Sequence, residues 1–323
     1  VHIVQTTGLA LATDLVKEED QPKVVGLMYV MLLVGMVFSA LIYGALLENY
    51  SPGRLIQVIQ GTAVISAALN LFARWKQEAR DRMRAQRMET APRARFSEAW
   101  SALISKPGMV RLLYVIGLGT FGFGMADVLL EPYGGQALGL SVADTTKLTA
   151  LLAGGTLIGF AIASRRLGAG GSPERLGLVG AFVGIPGFAA IILSSLAGGA
   201  TLFVAGTFAT GLGAGLFGHA TLTATIRAAP RGQTGLALGA WGAVQATCAG
   251  IGVALAGFVR DVLLESGAFG GLSVAAPYNV VFLIEIVFLA VAIAMVIPLA
   301  VRRTNTSVEP VVPVSQSNSV EVP

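Results

Sequence analysis

The sequence has few of the residues on which soluble domains and metal sites depend. Among its 323 residues there are one cysteine, Cys248, and two histidines. Only 12% of the residues are charged, whereas a soluble domain carries about 25%. A single cysteine excludes a disulfide framework and a cysteine-based metal site. There is also no HExxH motif and no Ser/His/Asp arrangement. We therefore predict neither a metal centre nor an enzyme.

Long apolar stretches dominate the chain instead. Hydrophobic residues make up 54% of the sequence, and about 20 consecutive apolar residues suffice to cross a bilayer as a helix. Nine windows meet this requirement in whole or in part: residues 1–13, 24–47, 55–73, 110–130, 147–164, 177–197, 200–226, 234–258 and 278–301. The predicted fold class is an all-α polytopic membrane protein. Because the first window is only half a span, we expect the chain to begin partway through a helix.

Positive charge is distributed unevenly between the loops that these windows define. Of the 22 Lys and Arg residues, 19 lie on the side of the loops 14–23, 74–109, 165–176 and 227–233 and of the tail. Only Arg54, Lys147 and Arg260 lie on the opposite side. Since cytoplasmic loops of membrane proteins are enriched in Lys and Arg, we predict that the 74–109 linker and the C-terminus are cytoplasmic.

A weak internal repeat indicates the architecture. Residues 8–47 and 218–257 both contain an apolar helix, then a charged turn with a proline, then a helix rich in small residues. The two copies are six windows apart, and because six is even they have the same orientation. A parallel repeat of six-helix halves is the design of the major facilitator fold. The nine windows then correspond to helices 4–12 of twelve, the first being partial.

This repeat divides the chain into four parts. Residues 1–73 are predicted to hold helices 4–6 of the N-terminal half, and residues 74–109 form a basic cytoplasmic linker with helical character in its first part. Residues 110–301 form a complete C-terminal six-helix half. The polar tail, residues 302–323, is rich in Val, Pro and Ser and is predicted to be disordered.

Three acidic residues fall at membrane depth and are candidates for function, because charges there are costly. Asp127 and Glu131 are four residues apart in MADVLLEPYGG, so they are expected to share one helical face. We expect Asp127 to face the bundle interior, and we expect the helix to end or break at Pro132, near the external surface. Glu285 lies about two turns into the last window. The alternative reading is a water-exposed helix end for Glu131 and Asp127, and pairing with a polar group of a neighbouring helix for Glu285.

The remaining candidates are polar or ligating side chains inside the windows. His2 and His219 lie in the two windows that the repeat pairs, and a neutral imidazole can bind a metal, including the magnesium of a chlorin ring. His219 is the better candidate, although a lone histidine in a membrane helix is more often a hydrogen-bonding residue. Gln245 is expected to line a central cavity.

Three stretches give the chain a family resemblance: residues 8–47, SPGRLIQVIQG at 51–61 and DVLLEPYGGQ at 127–136. They resemble the bacteriochlorophyll-delivery branch of the major facilitator superfamily, the PucC-type light-harvesting complex assembly proteins of phototrophic bacteria. The resemblance covers nearly the whole chain, but members have twelve helices. The sequence also departs from the facilitator loop signature at GFAIASRRLG, residues 159–168, where an acidic residue is expected.

The resemblance implies an assembly factor of the intracytoplasmic photosynthetic membrane, which is part of the bacterial inner membrane. Its implied cargo is bacteriochlorophyll, bound without a covalent link. Its implied partners are antenna polypeptides, pigment-synthesis enzymes and the lipid bilayer, and no nucleic acid. The alternative function is a proton-coupled transporter of a small molecule, with Asp127, Glu131 or Glu285 carrying the proton. A large apolar pigment suits a cavity with few charges better than a polar solute does.

Overall fold

The computed structural model describes residues 8, 11–12, 15–16, 21–48, 51–73, 75, 83, 95–197, 199–230, 233–267 and 273–306. All regular structure in these ranges is helical. The helices are α1 (Gln21–Leu46), α2 (Pro52–Ala73), α3 (Phe96–Ile104), α4 (Met109–Gly124), α5 (Leu130–Leu138), α6 (Val142–Gly168), α7 (Pro173–Ala197), α8 (Ala200–Ala228), α9 (Thr234–Glu265) and α10 (Ala276–Thr306), with a 3-10 turn at Ala126–Val128 between α4 and α5.

Within the described ranges, eight helices are long and apolar enough to cross a membrane. They coincide with the second to ninth windows predicted from the sequence, so the chain is an all-α multi-pass membrane protein. The first predicted window, residues 1–13, lies largely outside the described residues. Of that window only Gly8, Leu11 and Ala12 are described, and all three are helical.

Helix α8 is at the centre of the bundle, where it packs against α6 and α7. Helix α10 packs against α7 and α4, α9 packs against α4, and α1 packs against α6. Two clusters of buried side chains fill the interior. One lies toward the end predicted to be external and includes Tyr133, Phe188, Phe203 and Phe282. The other lies toward the end predicted to be cytoplasmic and includes Met109, Leu222 and Trp241.

Glycines allow α8 to approach its neighbours closely. A Cβ atom at Gly213 would lie 2.6 Å from the carbonyl oxygen of Gly180 on α7, and a Cβ atom at Gly155 of α6 would lie 2.5 Å from the oxygen of Phe208. Small residues at such positions let helix backbones touch in a membrane, where no hydrophobic force drives helices together. These glycines are therefore part of the packing of the bundle.

The structure tests only the second part of the predicted linker, residues 74–109. Its first part, for which helical character was predicted, lies almost entirely outside the described residues. The described helix of the linker is α3, in the second part, where Phe96 is exposed and Leu103 is fully buried. Helix α3 is thus attached to the bundle by one side and exposed on the other.

Candidate functional site

The most unusual local geometry is an interruption in the membrane segment that begins at Met109. Helix α4 ends at Gly124, a 3-10 turn follows, and α5 begins at Leu130. The sequence predicted an end or break at Pro132, and this was wrong by several residues. Pro132 is the third residue of α5, and proline is tolerated in the first turn because the N–H groups there have no intrahelical acceptor.

Glu285 of α10 contacts this interruption. Its side chain is fully buried, and its Oε1 accepts a hydrogen bond of 2.6 Å from the backbone N–H of Ala126, at the start of the 3-10 turn. Its Oε2 is buried and has no hydrogen-bond partner among the described residues. Glu285 therefore pairs with a polar group of a neighbouring segment, as the alternative interpretation expected. The group is the backbone amide of Ala126, which the helix break leaves free to donate.

Asp127 lies in the 3-10 turn, and its orientation toward the bundle interior rather than lipid stays a prediction. Its side chain is exposed on the bundle formed by the described helices, while its neighbour Ala126 is 3% exposed. The 3-10 turn is wound more tightly than an α-helix, with about three residues per turn, which changes the direction in which successive side chains point. Asp127 is nevertheless close enough to Glu285 for the two carboxyl groups to interact electrostatically.

Asp127 and Glu131 therefore do not form the pair that their spacing suggested. The hydroxyl of Thr149 on α6 donates a hydrogen bond of 2.6 Å to Glu131 Oε1 at the exposed surface. Asp127 is beside α10, whereas Glu131 is tied to α6. The i, i+4 rule applies to a continuous α-helix, and here the helix is interrupted between the two residues.

His219 lies at a junction of three helices in the half of the bundle predicted to be cytoplasmic. It is 3% exposed, and its ring centroid is 4.2 Å from that of Phe160 on α6. A Cβ atom at Gly26 of α1 would lie 3.4 Å from its Cε1. Its Nδ1 has no hydrogen-bond partner among the described residues. The imidazole is thus covered by α1 and α6.

Aromatic contacts extend from this histidine to two further helices. Tyr29 of α1 stacks on Phe160 with a centroid distance of 5.4 Å and makes an edge contact of 5.8 Å with Trp241 of α9. The Trp241 indole N–H donates to the hydroxyl of Thr221 at 3.4 Å. These contacts attach α1 to the other half of the chain. Gln245, one turn further along α9, is half-buried, and no described contact places it in a cavity with His219.

The sequence analysis missed a polar layer beside the helix break. The Tyr133 hydroxyl, fully buried, donates to the carbonyl oxygen of Ile191 at 2.9 Å. The Tyr278 hydroxyl donates to Gln136 Oε1 at 2.7 Å, and Asn279 donates to Ser195 Oγ at 3.1 Å. The only signal in the sequence was the presence of Tyr and Gln within an otherwise apolar stretch, since the partners are 58 to 142 residues apart.

Residues 1–304 match the model of a protein family that is described as "PUCC protein". The chain belongs to this family. It is 67% identical over 304 residues to "Protein PucC" of Rhodobacter capsulatus, which covers 94% of this chain and 66% of that protein. It is 51% identical over 299 residues to "Protein PucC" of Cereibacter sphaeroides, covering 93% of this chain and 65% of that protein.

A more distant relative has a name that mentions the pigment. The "Bacteriochlorophyll synthase 44.5 kDa chain" of Rhodobacter capsulatus is 26% identical over 278 residues, which is 82% of this chain and 63% of that protein. This PucC family chain therefore spans about two thirds of the length of the relatives it matches. The family resemblance inferred from the sequence is confirmed, whereas the arrangement of a facilitator fold and the four-part division stay predictions.

Proposed function

We propose that this PucC family protein assists the assembly of light-harvesting antenna complexes in a phototrophic bacterium, by holding or delivering bacteriochlorophyll and by assisting the insertion of antenna polypeptides. The observation that carries this proposal is the family match over residues 1–304. The multi-pass helical structure supports it, because both cargoes are apolar and reach their complexes within a bilayer. The proposed location is the intracytoplasmic photosynthetic membrane, with the C-terminus in the cytoplasm.

The geometry of His219 does not fit an axial ligand of the pigment in this arrangement. A chlorin ring would need open space over the imidazole, but Gly26 and Phe160 lie against it. We therefore do not assign His219 a role in binding the pigment. A flat apolar surface that no other described helix covers lies on α9, on the side opposite the buried face of that helix.

That surface consists of small residues at helical spacing, and we name it the α9 small-residue face: Gly239, Ala243, Ala246, Gly250, Ala254 and Gly257. Each is exposed or half-buried, and a Cβ atom at any of its three glycines would meet nothing within 4 Å. With no long side chains, such a face allows close contact with a flat macrocycle or with a helix of an antenna polypeptide. We propose that the pigment macrocycle or a helix of an antenna polypeptide lies on the α9 small-residue face.

The experiment replaces the chromosomal gene with Gly250→Leu in a phototrophic host and measures antenna absorbance per cell together with bacteriochlorophyll that co-purifies with the protein. The proposal expects both to fall. The matched control is Gly61→Leu on α2, where the glycine is also on a spanning helix and also faces open space. Normal antenna complexes in a strain without the gene would contradict the assembly function, and an equal effect of both variants would contradict the role of the α9 face.

The second candidate function is the proton-coupled transporter. It is favoured by one specific observation, the fully buried Glu285 at an interrupted membrane helix, because interrupted helices often form the binding sites of transporters. Flux of a solute into membrane vesicles that depends on a pH gradient, and that is lost in Glu285→Gln, would favour this function. Pigment co-purification without such a flux would favour the assembly function.

A further inference from the structure

We propose that Glu285 and Asp127, together with the interrupted helix that Glu285 contacts, form a proton-binding site: Glu285 holds the proton and Asp127 is its route of exchange. The proposal depends on the contacts of these residues and holds for an assembly factor and a transporter alike. Its first basis is the state of the Glu285 carboxyl group. One oxygen accepts the Ala126 N–H, and the other is buried without a hydrogen-bond partner among the described residues.

The charges around Glu285 leave it without a counter-ion. The helices packed against α10 are α4 with its 3-10 turn, α7 and α9. Their charged residues lie toward the helix ends, with the exception of Asp127: Arg111 on α4, Glu174 and Arg175 on α7, and Arg260, Asp261 and Glu265 on α9. The Arg260 guanidinium lies 5.3 Å from the ring centroid of Tyr278, which is two turns before Glu285, about 10 Å along the helix.

An ionised carboxylate in such a place is costly. Moving a charge out of water without an opposite charge costs far more than one backbone hydrogen bond returns. A neutral carboxylic acid avoids this cost, because its unprotonated oxygen still accepts the Ala126 N–H while the other oxygen carries the hydrogen. Another carboxyl group, that of Asp127, is close enough to act electrostatically on Glu285, and two carboxyl groups that interact in this way favour the state in which one of them is neutral.

Asp127 supplies the connection to the outside of the bundle. Its side chain is exposed, and the residue follows Ala126 directly in the chain. In this proposal, water that enters between the helices reaches Asp127, so that a proton leaving Glu285 has an acceptor that can pass it on. A metal cation suits the site less well, because the backbone group aimed at Glu285 is an N–H donor, which attracts negative charge.

Protonation would also change the interrupted helix. When Glu285 loses its proton, the hydrogen bond from the Ala126 N–H becomes charge-assisted, and such bonds are shorter and stronger than neutral ones. The 3-10 turn is then held more firmly by α10. The proton-binding site thus links the pH of its surroundings to the geometry between α4 and α5.

The test is infrared spectroscopy of the purified full chain in lipid at neutral pH, where exposed carboxylates are ionised. The expected result is a carbonyl-stretch band of a protonated carboxylic acid that disappears in Glu285→Gln and stays in Glu131→Gln and Glu174→Gln. Asp127→Asn is expected to keep the band but to slow its hydrogen–deuterium exchange several-fold. A wild-type protein without the band, or a band unchanged in Glu285→Gln, would overturn the proposal.

Two further measurements avoid dependence on a single variant. Wild-type protein labelled with ¹³C at the glutamate carboxyl carbons should show the band at lower frequency, and labelling of aspartate alone should not move it, so the site can be tested even if Glu285→Gln does not fold. Replacing choline by sodium at constant pH should leave the band unchanged. An unshifted band on glutamate labelling, or a band lost on adding sodium, would overturn the proton assignment.

Discussion

The Glu285 side chain holds the helix break through a hydrogen bond, and we propose that the same carboxyl group binds a proton. Glu285 was predicted as an intramembrane polar residue from its position in an apolar window, and the structure gives the reason for its presence, namely the N–H of Ala126 at a helix break. The partner is 159 residues away in the chain, so no local pattern reveals the pair. Asp127 lies in the 3-10 turn and is exposed on the bundle formed by the described helices, and its orientation toward the bundle interior stays a prediction.

Glu285→Ala is expected to lower the free energy of unfolding by about 1–3 kcal/mol, since it leaves a buried N–H without an acceptor. Glu285→Gln keeps an oxygen acceptor in the same place and should retain most of the stability. The measurement is thermal or denaturant unfolding of the purified protein in detergent. Equal losses in the two variants would show that the Ala126 hydrogen bond contributes nothing to stability.

Asp144 is the residue whose pH behaviour is easiest to predict, because it lies at the exposed start of α6, outside the apolar span. The hydrogen bond from Lys147 at 2.9 Å, with a second from Ser141, holds the pKa of Asp144 below its ordinary value. A depressed pKa in the folded state means that the contribution to stability is complete above the ordinary aspartate pKa. It is lost as the pH falls through the lower folded value.

Lys147→Met should therefore raise the pKa of Asp144 toward its ordinary value, and Lys147→Arg should not. The measurement is a ¹³C NMR titration of the aspartate carboxyl carbons in detergent. An Asp144 titration that is unchanged in Lys147→Met would show that Ser141 alone sets the pKa.

At the scale of single helices, the contact between α6 and α8 depends on where glycine is placed along α6. A Cβ atom at Gly159 would come within 3.0 Å of the backbone nitrogen of Leu216, whereas a Cβ atom at Gly154 would meet nothing within 4 Å. Gly155 and Gly159 therefore face α8 and Gly154 does not, because only one face of α6 touches α8.

Gly159→Ala is accordingly expected to destabilise the protein by about 1–3 kcal/mol, because the added methyl group pushes two helix backbones apart. Gly154→Ala, five residues earlier on the same helix, adds the same atom to open space and should be neutral or slightly stabilising. Unfolding temperatures of the two variants in detergent check this difference. A similar change for both would contradict the close approach of α6 and α8.

For the molecule as a whole, the 19 to 3 distribution of Lys and Arg still predicts the orientation in the membrane. Ser105, between α3 and α4, and Ser266, after α9, are both exposed and lie at opposite ends of the bundle. In a background with Cys248→Ala, Ser266→Cys is expected to react with an impermeant maleimide added to intact spheroplasts. Ser105→Cys should react only after the membrane is permeabilised, and labelling in the opposite order would reverse the predicted topology.

The sequence by itself determined the class of the protein, its eight described spans and its family. These follow from composition, from the length of each apolar window and from residues such as Asp127–Gly135, all of which are local along the chain. The membrane makes such local signals reliable, because every backbone group in lipid must be bonded within its own helix.

Only the tertiary structure decided which polar residues meet. It placed Glu285 against Ala126, separated Asp127 from Glu131, and covered His219 with α1 and Phe160. The physical reason is that each of these outcomes depends on the rotation of a helix about its axis and on a break at Met125, which neighbouring helices set. In an all-apolar segment nearly every rotation looks the same in the sequence, and the contacts that distinguish them come from residues far away in the chain.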